Sequence, residues 1–568
     1  MNISPHQDLR FEPFSRRGSY LSLRRIDEHT VAHGKLRGVY LLQHHGKNLL
    51  SPELARVTVD GEDPLSTWDE ALLTLSPSTQ PGARVDIVFD GTDAIRLRGS
   101  GCSLTLTFPV NAASGMYASP HGGWEVNSRQ TNSKLQITPL RGETDTDADW
   151  LGEQSGKMAL TIRPGGDNTW EMAVDQYIST WTPREYPPFE SLEAEVRQDF
   201  ASFLATLPGD APGLADAKVR AAYVNWSAIV RPCGNFRREA MLMSKNHMCN
   251  VWSWDHAFNA MAHMPGDPEL AWDQMLLMAD RQNEHGAFPD AQNDVHEHFN
   301  FCKPPLHGWA LGKLRASRPD FFTPARLREA LGWLEPWTRW WINHRMWKDS
   351  GLPYYLHGND SGWDNSTFFL KGVPMLTPDL PAFLILQCQE LSEVHRLLGQ
   401  SAEAGRWVRV AENLRTALME TLWDGERFFA VHAPTGERVV ADTLIETIPL
   451  VLGAELPGDV RTKVVGRLKR YLTDHGLATE HPASPWYKPD GYWRGPIWAP
   501  STLLIHDGLA RMGETALAGE IADTYLRLCA NAGFAENFDA LTGDPLKDKA
   551  YTWTSSVFLI LLRDQGAG

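Results

Sequence analysis

Two carboxylates stand in loops crowded with aromatic and small side chains: Asp364 in SGWDNS (361–366) and Glu536 in AENFDA (535–540). Hydrolysis of an acetal such as a glycosidic bond needs two such groups flanking the bond. One must be protonated, to give a proton to the leaving oxygen, and apolar neighbours raise its pKa. The other must be ionised, to take a proton from water or to attack the carbon itself. A lone loop carboxylate is more commonly a cap or turn residue. Trp363, Phe534 and Phe538 around these two point toward chemistry instead.

Other loops carry the same mixture: WSWDHAF (252–258), FPDAQND (288–294), GYWRGPIWAP (491–500) and the rest of AENFDALTGDP (535–545). Asp255 has the right chemistry to accept hydrogen bonds from two vicinal sugar hydroxyls, or to cap the helix that follows. Arg494, among aromatics, is suited to a site carboxylate, a sugar hydroxyl or a structural ion pair. Seventeen of the 22 Trp lie between Trp226 and Trp553. Flat aromatic faces suit the apolar faces of sugar rings, and Trp also fills wide gaps between helices. Several of Trp252, Trp254, Trp363, Trp493, Trp498 and Trp553 are therefore expected to wall a closed pocket for one terminal sugar. Phe288, Asn365 and Gly495 complete the expected substrate-binding set.

Other patterns lead nowhere. DTDADW (145–150) imitates the start of a calcium loop, but Trp150 stands where Gly is needed and Gly156 where Glu is needed, which leaves a solvated turn. His296 and His298 lack an identifiable third metal ligand, so no metal and no cofactor are expected. There is no G-x-x-x-x-G-K-[ST], H-E-x-x-H or G-x-S-x-G, which weakens NTPase, zinc-protease and α/β-hydrolase readings.

The elements that must position these loops fall into two kinds. The 568 residues, too many for one ordinary domain, are 42% hydrophobic and suffice for large cores. From 19 to about 180, short runs such as RVDIVF (84–89), SLTLTF (103–108) and MALTIR (158–163) alternate apolar and polar residues between Gly, Pro, Asn and Asp, the pattern of an antiparallel sandwich. After the Pro-bearing stretch at 181–189 the period becomes 3.6, with about twelve helical segments. The expected architecture is an all-β sandwich domain (1–180), a linker with a connecting helix (181–210) and an all-α (α/α)6 barrel, or toroid (211–568).

At these loops the chain resembles glycoside hydrolase family 63. SGWDNS is similar to the family's acid-bearing segment and to ESGWDFS of family 37 trehalases. Trp363 stands where family 63 often has a small residue or Met, which is closer to trehalases. GYWRGPIWAP resembles the Y-W-R-G-P-I-W segment, AENFDALTGDP the base-bearing segment, and WSWDHAF the W-x-W-D element whose aspartate binds the terminal sugar. The resemblance implies an inverting exo-α-glycosidase, α-glucosidase-like, with Asp364 as general acid and Glu536 as general base. It implies a small soluble glycoside as substrate, within a class that includes trehalose-like glucosides and glucosyl- or mannosylglycerate.

Competing classes use other residues. A disaccharide phosphorylase replaces the base by phosphate. A sugar epimerase needs paired histidines, for which His256, His285 and His307 are candidates. A lectin-like module needs no carboxylate pair. The acidic balance, 54 Lys+Arg against 70 Asp+Glu, argues against nucleic acid and anionic membranes as partners. The start lacks an apolar signal region, and the six cysteines show no C-x-x-C spacing; both lead to the expectation of a cytoplasmic protein with reduced thiols.

Overall fold

The structure is a computed structural model that describes residues 8–31, 34–46, 53–129, 133–209, 211–348 and 350–566. Those parts of the expected domains that fall on 1–7, 32–33, 47–52, 130–132, 210, 349 and 567–568 lie outside the described residues. Contacts divide the chain into two compact units: Met1–Ala205, Ala222–Asn250 and Asn293–His296 form the first, Thr206–Ala221, Val251–Gln292 and Glu297–Gly568 the second. A single cut between 180 and 211 does not describe this division. Residues 222–250 return to the first unit because Ile229–Val230 pairs with Ala240–Met241 and Val230 also bridges Gly18. The Lys245 side-chain nitrogen is buried there, donating to the Ser19 carbonyl at 2.6 Å and the Ser15 hydroxyl at 3.1 Å.

Among the described residues, the first unit contains fourteen strands before residue 180: β1 (Leu21–Val31), β2 (Gly34–Gln43), β3 (Glu53–Val59), β4 (Leu65–Trp68), β5 (Leu73–Ser76), β6 (Arg84–Phe89), β7 (Ala94–Ser100), β8 (Leu104–Thr107), β9 (Gly115–Ala118), β10 (Trp124–Ser128), β11 (Ser133–Arg141), β12 (Glu143–Asp147), β13 (Ala159–Arg163) and β14 (Thr169–Tyr177). They form two antiparallel sheets, in the orders β1-β2-β3-β8-β13-β12 and β4-β5-β6-β7-β14-β11-β10-β9. Alternation places every second residue in the core: Leu104 and Leu106, Leu160 and Ile162, Trp170, Met172 and Val174 are all buried. The 145–147 segment, read above as a turn, is the edge strand β12. Its Asp145 and Asp147 face outward and pair with Arg163 and Lys157. Charges on an edge strand discourage further pairing, so the acidic run has a structural reason.

The second unit is helical. Helix Asp255–His263 packs on His307–Ser317, which packs on Asp379–Leu397. That helix packs on the segment Leu444–Glu455, which packs on Ala499–Arg511, then on Thr552–Gly566, which in turn packs on Asp255–His263. Between them in sequence come Pro268–Ala279, Pro324–His344, Ser401–Leu422, Gly458–Leu468 and Thr515–Ala532. Segment Leu444–Glu455 is a 3-10 helix rather than the expected α-helix, because Pro449 removes a backbone donor and Gly453 turns at φ +61°. Among the described residues no helix is long and apolar enough to cross a membrane.

The sheet core is tightly filled at one point. Trp170 is fully buried, donates its indole N–H to the Cys102 carbonyl at 2.7 Å, and lies over Gly99 of β7. A Cβ at position 99 would sit 2.1 Å from the Trp170 ring. Gly99→Ala should therefore destabilise the protein by at least the ~1–3 kcal/mol of an overpacked core, read as a lower midpoint in thermal or urea unfolding.

Candidate active site

The site belongs to the second unit, and backbone geometry brings its loops together. Asp364 follows a one-turn helix, Gly358–Ser361, closed by Gly362 at φ +75°. A Cβ at Gly362 would lie 2.6 Å from the Trp254 ring, and one at Gly358 would lie 1.9 Å from the Asp364 carbonyl oxygen. Both glycines are thus required for the loop to close against its neighbours. Asp360, buried, pins this loop to two others: it accepts from the Cys302 N–H at 3.1 Å, the Leu356 N–H at 2.8 Å and the Arg345 guanidinium at 3.0 Å. Asn365 then ties the loop to GYWRG, donating to the Gly491 carbonyl at 3.0 Å and accepting from the Trp493 N–H at 2.9 Å. Tyr492 sits at φ +62°, a strained conformation for a non-glycine residue, fixed by this network.

Glu536 precedes the strand Asn537–Phe538, which pairs with Ile497–Trp498 on one side and Pro545–Leu546 on the other. Its N–H donates to the Asp548 carbonyl at 2.7 Å, and its own carbonyl accepts from the Trp553 indole at 3.2 Å. Asp255 opens helix Asp255–His263 as its first residue, inside the helix rather than capping it, and its carboxylate accepts from the Tyr551 hydroxyl at 3.3 Å. The positive end of that helix favours its negative charge.

One buried cation faces these acids. Burial works against the charge of Lys303, but Asp364, Asp290 and Asp255 outweigh it and hold the ammonium protonated. Its ammonium lies 3.2 Å from Asp290 and donates to the Asn359 carbonyl at 2.8 Å. Burial raises all four carboxyls. Asp255 is pushed to about 7 by burial, with Lys303 pulling it back. Glu536 is pushed to about 8, first by burial, then by the carboxylates of Asp548, Asp255 and Asp364. Asp364 and Asp290 are raised by burial and lowered in part by Lys303. The Tyr492 hydroxyl hydrogen-bonds Glu536 and feels the charge of Asp364. Asp255, Asp364 and Glu536 therefore share one electrostatic environment, the condition for a proton-donating and a proton-accepting carboxyl to act on one bond.

The aromatic residues play a different part from the one expected. Trp493 and Trp498 stack at 4.0 Å between centroids and 7° between planes; Trp363, Trp254 and Trp553 close around them. Trp363, Trp493 and Trp498 are at most 1% exposed, so their faces are taken by each other rather than offered to a sugar. Phe288 stacks on Trp337 at 5.1 Å and belongs to the helical core. Gly495, at φ +146°, donates its N–H to the Thr479 hydroxyl at 3.2 Å. Arg494 donates to the Asn365 carbonyl at 2.7 Å rather than to a carboxylate. Trp252, Asp364, Asn365, Tyr492 and Arg494 are partly exposed. The residues that sequence reasoning missed are Lys303, Asp290, Tyr492 and Tyr551. Asp290 and Tyr492 lie in segments already noted; Lys303, in FCKPP, had no signal of its own. Of the three candidates for the histidine pair of an epimerase, His256 and His307 are buried, with pKa values lowered by burial, His256 to about 4, and His285 is exposed.

A model of the mannosylglycerate hydrolase MGH1-like glycoside hydrolase domain matches residues 248–554, which contain every one of these groups. The chain belongs to this family of glycoside hydrolases, in agreement with the family 63 resemblance of its loops. A mannosylglycerate hydrolase of Thermus thermophilus is 30% identical over 402 residues, spanning 55% of this chain and 94% of that protein. The glucosylglycerate hydrolase of Mycolicibacterium hassiacum is 24% identical over 411 residues, spanning 55% and 91%. A solved structure of GH63 mannosylglycerate hydrolase from Thermus thermophilus in complex with glucose superposes with TM-score 0.53 at 23% identity, covering 61% of this chain and 98% of that one. A bacterial glucoamylase complexed with acarbose, 11% identical, superposes with TM-score 0.61 over 100% of this chain and 95% of its own, a likeness of fold.

The raised carboxyls make a stability prediction. With its pKa at about 8 when folded, Glu536 keeps a proton that the unfolded chain loses near pH ~4.5. Its contribution to stability is therefore full below ~4.5 and is lost as pH rises toward 8. Gln cannot ionise, so Glu536→Gln should gain stability relative to the parent between pH 5 and pH 8, by more than about 1 kcal/mol, in unfolding curves taken at both values.

Proposed function

We propose that the protein is an inverting, exo-acting α-glycoside hydrolase that frees a terminal hexose from a small soluble glycoside, most closely a glycosylglycerate. The single observation that carries this reading is the placement of Asp364 and Glu536 with Asp255 and Lys303 in one buried electrostatic cluster. The names of the relatives, mannosylglycerate and glucosylglycerate hydrolases, favour glycerate as the leaving group over the plain α-glucosidase suggested by the motifs. The cyclic order of helix contacts in the second unit supports an (α/α)6 toroid. In it the six helices that contact one another in turn form the inner layer, and the loops at their starts carry the chemistry.

In this mechanism Asp364 gives its proton to the glycosidic oxygen while Glu536 takes a proton from the attacking water. Burial raises the Asp364 carboxyl, which favours the protonated form that an acid needs. Asp255 accepts hydrogen bonds from the hydroxyls of the terminal sugar. Lys303, charged and beside Asp364, Asp290 and Asp255, orients the cluster and limits how far their pKa values rise. A second reading exchanges the two roles, because Glu536 is raised to about 8, high enough to hold a proton at neutral pH.

Leaving-group chemistry separates the two readings. Asp364→Asn and Glu536→Gln should each lose ~10²–10⁴ in kcat on a mannosyl- or glucosylglycerate. On the corresponding α-glycosyl fluoride, whose bond breaks with little protonation, Asp364→Asn should recover and Glu536→Gln should not; the opposite pattern assigns the roles in reverse. NMR of the first product should show the β-anomer. The α-anomer first would rule out inversion, and rapid mid-chain cleavage of a long α-glucan would rule out exo action.

A further inference from the structure

The first unit carries a second cluster of chemically active side chains that glycoside hydrolysis does not use. His45 follows β2, Cys233 opens a tight turn, and Asp294 lies in the segment Asn293–His296. One donor atom from each, an imidazole nitrogen, the thiol sulfur and a carboxylate oxygen, lies within 4.8 Å of the other two. His45 and Asp294 are buried and Cys233 is half-buried.

We propose that His45, Cys233 and Asp294 form a three-ligand site for a zinc-class divalent cation, with a fourth position open to water or a small ligand.

The donors are held in place. Asp294 uses one carboxylate oxygen to accept the Gly46 N–H at 2.8 Å and the other to contact His45 Nδ1 at 2.8 Å, so its orientation is set. The His45 ring stacks on Tyr20 at 3.7 Å and 16°, which fixes its plane. The turn carrying Cys233 is closed by reciprocal backbone hydrogen bonds with Phe236, at 3.0 and 2.9 Å. It is clamped to the third ligand's own backbone by Asn235, whose N–H donates to the Asp294 carbonyl at 2.7 Å. Gly234, at φ +55°, makes that approach possible, since a Cβ there would sit 2.0 Å from the Asp294 carbonyl oxygen. Ligands supported in this way by outer contacts are the usual form of a built metal site.

The compactness of the cluster selects a cation over a nucleophilic relay. A thiol–imidazole–carboxylate relay bonds the thiol and the carboxylate to opposite ring nitrogens, which places them more than about 6 Å apart. Here no pair exceeds 4.8 Å. Ligands about 2.0–2.3 Å from a tetrahedral ion lie roughly 3.3–3.8 Å from one another, so a small inward movement suffices. One thiolate, one imidazole and one carboxylate suit zinc; magnesium and calcium prefer oxygen alone. On binding, the ion takes the place of the proton between His45 and Asp294 and displaces the thiol proton. Such an ion would tie the end of β2 to two later segments of the same unit. The three ligands are 188 and 61 residues apart in sequence (233 − 45 and 294 − 233), which is why no short motif announces the site.

The full chain, stripped with chelator, should bind one Zn²⁺ per chain in a competition titration, and its thermal midpoint should rise on zinc addition. Cys233→Ser and Asp294→Asn should each weaken zinc binding at least tenfold and abolish the zinc-dependent rise. Co²⁺ added to the parent protein should give a thiolate-to-cobalt charge-transfer band in the near ultraviolet. Zinc binding equal in the parent and in Cys233→Ser, or a Co²⁺ spectrum without that band, overturns the proposal. If the variants fail to fold, the Co²⁺ spectrum of the parent decides alone.

Discussion

The structure of the second unit depends on one electrostatic constraint: several carboxyls are removed from water within reach of each other, and a single lysine answers them. Lys303 is itself buried, and an isolated buried ammonium would lose its proton. It stays charged because Asp364, Asp290 and Asp255 surround it, and they in turn can ionise because it is there. Neither side is tenable alone, since removing one partner of a buried charge pair leaves the other uncompensated. The backbone arrangement follows from this requirement. Asp360, three residues after His357 and four before Asp364, accepts from the Cys302 N–H and so ties the Cys302–Lys303 segment to the loop of Asp364.

The tryptophans supply rigidity rather than a platform. The Trp493–Trp498 stack, with Trp363, Trp254 and Trp553 around it, joins four separate segments into one apolar wall. The wall raises the pKa of the carboxyls by excluding water, and the indole of Trp553 holds the backbone of Glu536 directly. Burial of large flat side chains thus acts on the chemistry through the dielectric as well as through packing. The strained backbone of Tyr492 and the glycines at 358 and 362 are the conformational cost of bringing the segments so close.

Burial raises both carboxyls of the proposed reacting pair, and Glu536 carries the additional repulsion of Asp548, Asp255 and Asp364. A base with a high pKa is strong once ionised, and an acid whose raised pKa is partly restrained by Lys303 gives up its proton readily. The same cluster makes the site a weak point of stability in alkaline solution, because its charges are costly to bury.

Much of this was legible in the residue order. The switch from period 2 to period 3.6 pointed to a β-rich region followed by a helical one, since which side chains face a core is a local, repeating property. The carboxylates and their aromatic neighbours were visible as loop motifs because they lie within a few residues of one another. What the sequence left undecided was set by contacts between distant segments. Segment 222–250 joins the sheets because Val230 meets Gly18, an acidic run becomes an edge strand because β13 lies beside it, and the tryptophans turn their faces to each other. Lys303 was invisible in sequence because a lysine is ordinarily a surface residue. Only the fold, by enclosing it with acids that lie 13 to 61 positions away (303 − 290 and 364 − 303), makes its charge the centre of the site.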